Sequence, residues 1–245
     1  TAPGGTVHYW NVTELVTDVG NWGQAFQASV NGWAAGDSQY GISEPATTEG
    51  LISVAAFSSE YLLPNGNVQG GTIASFSSYG PTLDERVKPD IAAPGVSVSS
   101  AVSSFTDAAV NPNQTITFQG QPYEFARLSG TSMSSPVVAG IAALLLDADP
   151  TLTPEEVKEV IMATARTDQH TGVIPPVGSL RWGMGKVNAY RAITEALGIV
   201  SVPEREARGI CLWPNPVEGR MQVAMPAPCA SARIIISDMT GRVAG

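Results

Sequence analysis

Along the 245 residues the apolar positions form two kinds of pattern, and the change between them divides the chain. Residues 51–57, LISVAAF, are short and continuously apolar, as in a strand buried on both faces of a parallel sheet. A second such strand is predicted near residues 73–76, and IAAPGVSVSS, residues 91–100, supplies another element broken at Pro94-Gly95. Residues 6–33 are rich in aromatic and β-branched side chains, with turn signals at residues 18–20 and at Asn31-Gly32, so they read as strands; residues 34–50 are turn-rich. Residues 111–130 predict a hairpin with Gly120 in its turn. The period then changes. Residues 132–147 are apolar on every side and predict a helix buried all round. Thr153-Pro154-Glu155-Glu156 opens a second helix with an N-cap threonine, proline at the first helical position and glutamate at the third, a capping box. A third helix is predicted over residues 187–197, after the glycine-punctuated RWGMGK. Strands interleaved with buried helices indicate an α/β domain with a central parallel sheet. Beyond Gly198, SVPEREARG reads as a linker, and the remainder returns to short strands and turns, a small all-β module.

Composition narrows this picture. With 43% hydrophobic and 14% charged residues, the chain can bury the core of one large domain plus a small appendage. Its 22 acidic and 13 basic residues give a net charge of −9, which excludes nucleic-acid or anionic-membrane binding through a basic face. Low charge with 25 glycines and 18 prolines leans towards a secreted, loop-rich protein. The longest strongly apolar run, residues 137–146, falls short of the ~20 residues that span a bilayer, so no membrane span is expected. The opening TAPGGTVHYW holds no signal peptide, and a chain beginning on Thr1 and ending in mid-pattern on Gly245 reads as a piece of something longer. Cys211 and Cys229 form either one disulfide or two buried thiols, and spacing alone does not choose between them.

The chemistry is concentrated in LSGTSMSSPVVAGIAALLL, residues 128–146. Gly130 permits a sharp approach of the chain, and Ser132 then falls at a helix N-terminus, where open N–H groups and the positive end of the helix dipole favour developing negative charge. Small residues at 134, 135 and 139 leave room above the serine, and Pro136 falls close to the first turn, where a missing N–H matters least. Taken by itself, the placement also suits a serine that merely caps a core helix.

The string G-T-S-M-S-S-P-V-V-A-G, residues 130–140, resembles the nucleophile signature of the subtilisin-like serine proteases. FSSYGPTLDERVKPDIAAPG, residues 76–95, is similar to the block preceding the serine in that family, and GMGKVNAYRAI, residues 183–193, to its closing glycine turn and helix. The resemblance implies a partial subtilisin-like three-layer α/β domain: its C-terminal half over residues 34–198, after the tail of a β-rich insertion over residues 1–33. It implies a serine endopeptidase acting on protein or peptide substrates, with Ser132 as nucleophile and the turn Gly130-Thr131-Ser132 contributing an oxyanion donor. The rival from another class is a non-catalytic surface or binding module on the same scaffold.

Family members carry Asp in a D-T-G-like strand end and His in an H-G-T-H-like helix start, and neither string occurs here. His8, in TVHYWN, and His170, in TDQHTGV, read as ordinary histidines, so the base and its Asp are expected outside this chain, which alone should be inactive. WAAGD, residues 33–37, ends in Asp37 where an oxyanion donor would need an amide, so the second donor is expected upstream too. Such enzymes are often stabilised by calcium, but Asp84, Glu85 and Asp90 lack the spacing of a calcium loop, and no metal or other cofactor is expected. After a linker at residues 199–210, LWPNPVEGRMQVAMP…ARIIISDMTGRVAG resembles the start of a type IX secretion sorting domain, a small β-sandwich cut short over residues 211–245. That implies a secreted or cell-surface bacterial protein and the type IX machinery as a partner.

Overall fold

The computed structural model describes residues 8–9, 12–14, 21–23, 29–105, 110–198, 211–213 and 222–224. In chain order its elements are β1 (Val12–Glu14), β2 (Asn21–Gly23), β3 (Val54–Phe57), β4 (Tyr61–Leu62), β5 (Val68–Gln69), β6 (Ile91–Pro94), β7 (Val98–Ala101), β8 (Gln114–Phe118), β9 (Gln121–Leu128), α1 (Thr131–Ala148), α2 (Pro154–Ala163), α3 (Ala189–Ala196), β10 (Cys211–Trp213) and β11 (Gln222–Ala224). They fall into two compact units, Thr1–Gly198 and Ile199–Gly245. In the second, β10 and β11 pair antiparallel. The linker and the rest of the small module lie outside the described residues, as does Cys229.

The first unit is organised around two parallel strands. β3 runs beside β6 with Val54 opposite Ile91 and Phe57 opposite Pro94. Successive side chains on a strand point to opposite faces, and both faces here are covered. On one face Ile91 and Ala93 meet Val138, Ile141 and Leu145 of α1, Val157 and Ile161 of α2 and Ala192 of α3. On the other, Ala55, Phe57 and Ala92 meet Trp182, with Ile73 and Ile174 packed alongside. The sheet is widened by short bridges: Lys186 sits beside Ala92 in parallel and beside Arg166 in antiparallel sense. The second face is therefore closed by loop residues, while the three helices form the layer over the first.

Local sequence explains the elements. The small alanines of VAAF and IAAP let β3 and β6 be buried on both sides. Gln119 and Gly120 take φ of 50° and 77°, the left-handed pair that a two-residue hairpin between β8 and β9 requires. β9 then pairs with β7, making a three-stranded antiparallel sheet in the order β7-β9-β8. In α2 the capping box forms in full: Thr153 accepts from the Glu156 N–H, and the Glu156 carboxylate accepts from the Thr153 N–H at 2.8 Å.

Two expectations are corrected. Residues 73–76 form no strand; Ile73 makes a single bridge to Phe57, and the chain then turns, leaving Phe76 exposed. The reason is that the Ser77 hydroxyl accepts the Ala56 N–H at 3.0 Å, so a side chain takes the place of a neighbouring strand. The helix α1 is not buried all round. Ser134, Val138, Ile141 and Leu145 face the core, whereas Leu144 and Leu146 remain 50% and 42% exposed, because only one side of the helix meets the sheet. Of the segment read as strands at residues 6–33, β1 and β2 pair antiparallel and residues 30–33 form a turn; the remainder is outside the described residues, apart from His8, Tyr9 and Ser29 in no regular element. By length and composition α1 is also long and apolar enough to cross a membrane. Its packing against β3, β6, α2 and α3 marks it as a core helix.

Candidate active site

β6 ends at Pro94, and the next residue, Gly95, reaches the segment that carries Ser132. The Gly95 N–H donates to the Phe57 carbonyl at 2.9 Å, and its carbonyl accepts the Gly130 N–H at 2.8 Å. The Ser97 N–H donates to the Ser129 hydroxyl at 2.8 Å. The end of β9 is thus tied to the end of β6 just before α1 begins. Gly130 is the N-cap of α1, extended and without a side chain, and Thr131 and Ser132 are the first two helical residues. The Met133 N–H is taken by the Gly130 carbonyl at 3.0 Å. Among the described residues the N–H groups of Thr131 and Ser132 have no partner, which is the ordinary state of a helix start and leaves two donors beside the Ser132 hydroxyl. That hydroxyl is exposed and makes no hydrogen bond among the described residues.

Beside it lies a cavity of about 450 Å³ between the β7–β9 sheet and the first turns of α1. Val98, Ala126 and Leu128 line it from the sheet, and Met133, Pro136 and Val137 from the helix, with Ser132 at its wall. The space is apolar and lies to the side of the serine. The small residues expected above the serine divide: Ser135 and Ala139 are exposed, but Ser134 turns inward, fully buried, with a hydroxyl that has no hydrogen-bond partner among the described residues.

The other candidate residues are occupied elsewhere. The His8 ring lies 4.2 Å from that of Tyr40. His170 follows α2; its N–H donates to Asp168 at 2.9 Å and its Nε2 lies 3.9 Å from Glu60. Neither histidine hydrogen-bonds Ser132. The Asp37 carboxylate accepts the Gln39 N–H in its own turn. Asp84 pairs with Arg86 at 2.7 Å, and the Tyr40 hydroxyl donates to Glu85. Asp90 accepts from the Ser53 N–H and from Lys88 at 2.6 Å, and pairs with the Lys158 ammonium at 3.1 Å. Burial lowers the pKa of Lys88, and Asp90 works against that shift. Among the described residues no group of three or more His, Cys, Asp or Glu side chains is gathered for a metal ion.

One buried cluster was not anticipated. Lys186 is fully buried, 2.6 Å from Asp168 and 3.4 Å from Glu60, with its ammonium over the rings of Phe57 and Trp182 at 4.9 and 5.4 Å. Burial pushes the Asp168 carboxyl up, but Lys186 and the N–H groups of His170 and Thr171 outweigh it and hold the group below its ordinary range. The only sequence signal was a lysine set among glycines and apolar residues in WGMGKV.

Comparison with known proteins places the segment that carries these parts in a family. Residues 4–183 match the family model of the subtilases, peptidase family S8. The chain belongs to the subtilase family. This subtilase is 35% identical over 172 residues to serine protease AprX of Bacillus subtilis, covering 70% of the chain and 36% of that relative. It is 42% identical over 135 residues to the subtilisin-like protease SBT3.2 of Arabidopsis thaliana, covering 51% of the chain and 17% of that relative. Among solved structures, the Clostridium perfringens CspB protease is 28% identical with a TM-score of 0.46, over 65% of this chain and 29% of that one. Fervidolysin from Fervidobacterium pennivorans is 27% identical with a TM-score of 0.45, over 62% and 20%. The subtilase chain therefore spans about a third or less of the length of these four proteins.

Proposed function

We propose that this subtilase chain contributes the nucleophile of a serine endopeptidase, with Ser132 attacking the peptide carbonyl and carrying the acyl group. The observation that carries the reading is an exposed serine at the second position of α1, with the Thr131 and Ser132 N–H groups unpaired beside it among the described residues. A hydroxyl attacks efficiently only when a base takes its proton and donors meet the oxyanion. The Ser132 N–H is one such donor. The base, its Asp and the second donor are supplied by segments outside these 245 residues, since neither family string is present and neither histidine is bonded to the serine. The open apolar cavity beside Ser132 gives the base-bearing segment a place to pack. In the assembled site the proton passes from Ser132 to the base and then to the leaving amine; water releases the acyl group by the reverse path.

The test is a fluorophosphonate probe on the full-length protein. Labelling of Ser132 is expected, with loss of labelling and at least about a 10⁴-fold fall in peptide hydrolysis in Ser132→Ala. The 245-residue chain by itself should not be labelled. Failure of the folded full-length protein to react, while a control protease does, favours a non-catalytic module. The unit after Gly198 is proposed to be a type IX sorting address, supported by its W-P-N-P and D-M-T-G-R strings and its charged, proline-containing linker. Removing everything after Gly198 should then stop export and leave hydrolysis of casein by the recovered enzyme unchanged.

A further inference from the structure

We propose that Gly95 and Ser134 act together as a positioning lock that fixes the height of the Ser132 turn above the sheet. The proposal rests on Ser132 being the nucleophile. Gly95 does not have a left-handed φ, so its backbone angles do not call for glycine. Space does. A methyl group at position 95 would run into the Ser134 hydroxyl, and would lie 2.7 Å from the Ala56 Cβ and 2.8 Å from the Gly130 carbonyl oxygen. The Ser134 hydroxyl is fully buried, the Ala56 methyl belongs to a strand buried on both faces and the Gly130 oxygen is backbone. Relief must therefore come from the turn.

That turn is the one that presents the nucleophile. The Gly130 carbonyl accepts the Met133 N–H, and the Gly130 N–H is held by Gly95 itself, so Gly95 touches the N-cap from two sides. Two residues further on stand the Ser132 hydroxyl and its N–H. Ser134 lies beneath them, fully buried, with its oxygen against Gly95 and no hydrogen bond to hold it in place. Its role is steric: it fills the space that only a glycine opposite leaves free. Catalytic geometry tolerates shifts of about 0.5 Å, and a displacement of about 1 Å can remove a hundredfold in rate.

The experiment uses the full-length protein carrying Gly95→Ala, Gly95→Ala with Ser134→Ala, or, as control, Gly140→Ala, where an added methyl meets nothing within 4 Å. Hydrolysis of a peptide is resolved into kcat and KM, and amide exchange is followed over residues 128–136. Gly95→Ala should lower kcat at least tenfold with KM within about twofold, and should speed exchange across that segment more than elsewhere. Adding Ser134→Ala should restore at least threefold of the lost kcat and slow the exchange again, because one of the three obstacles is gone. Gly140→Ala should change neither. Unchanged kcat or unchanged exchange at residues 128–136 in Gly95→Ala overturns the lock. If the unsubstituted protein has no activity, the nucleophile reading fails, and the exchange comparison alone decides whether Gly95 and Ser134 position the turn. Should Gly95→Ala not fold, Ser134→Thr crowds the same contact from the helix side and carries the same expectations.

Discussion

Ser134 and Lys186 represent two opposite ways of burying a polar group, and they call for opposite mutational outcomes. The Ser134 hydroxyl is buried without a partner among the described residues, a situation that costs about 1–3 kcal/mol. Ser134→Ala should therefore raise the stability of the folded chain by about 1 kcal/mol in urea unfolding; a loss of that size would mean that the hydroxyl is bonded. Lys186 is buried with two carboxylates, and removing the nearer one leaves its charge to the longer contact with Glu60. Asp168→Asn should cost about 1–3 kcal/mol, the range for losing a hydrogen bond to a charged group. The same pair fixes an acid limb. Because Asp168 is held below the ordinary carboxylate range, its contribution is complete above about pH 4, where the unfolded group titrates, and is lost as pH falls through its lower folded value. Unfolding measured from pH 7 down to pH 2 should show that decline, and Asp168→Asn should flatten it.

Among the elements, those written in local chemistry were legible and those written in tertiary contacts were not. The capping box of α2 is a four-residue pattern that forms wherever a helix starts, and it formed. Thr153→Ala should cost about 1 kcal/mol, seen as a lower unfolding midpoint in urea with an unchanged slope. The Gln119-Gly120 turn is equally local, and so is the serine at the start of α1. Residues 73–76 have the apolar run of a strand but not its partner, and nothing local announces that Ser77 will take the Ala56 N–H from the side. The helix α1 is apolar all round, so the sequence cannot say which stripe meets the sheet; the spacing of Ser134, Val138, Ile141 and Leu145 becomes meaningful only once β3 and β6 are beneath it. Likewise Lys186 reads as a surface residue until Ala92 and Arg166 flank it. The part of the candidate site that could be read was the glycine turn that places Ser132 at the start of α1, and the part that could not was what holds that turn from below.

At the scale of the whole chain, net charge governs association. A net charge of −9 keeps copies apart at neutral pH, and the isoelectric point near 4.6 is where that repulsion vanishes. Light scattering across pH 7 to 4 should show association rising towards pH 4.6 and receding at higher salt-free pH; a maximum elsewhere would mean that exposed apolar groups such as Phe105, Phe118 and Val173 dominate instead. The hairpin of β8 and β9 stands apart from this balance. Its strands are largely exposed, and at its tip Gly120 has open space around it. From that tip β9 runs four residues, about 13 Å of extended chain, before Phe125 pairs with Ala101 of β7 and ties it down. A peptide epitope or fluorescent tag grafted between Gln119 and Gly120 would ride on that stalk, reporting where the protein goes while its attachment strain dissipates along the ladder before reaching Ser132.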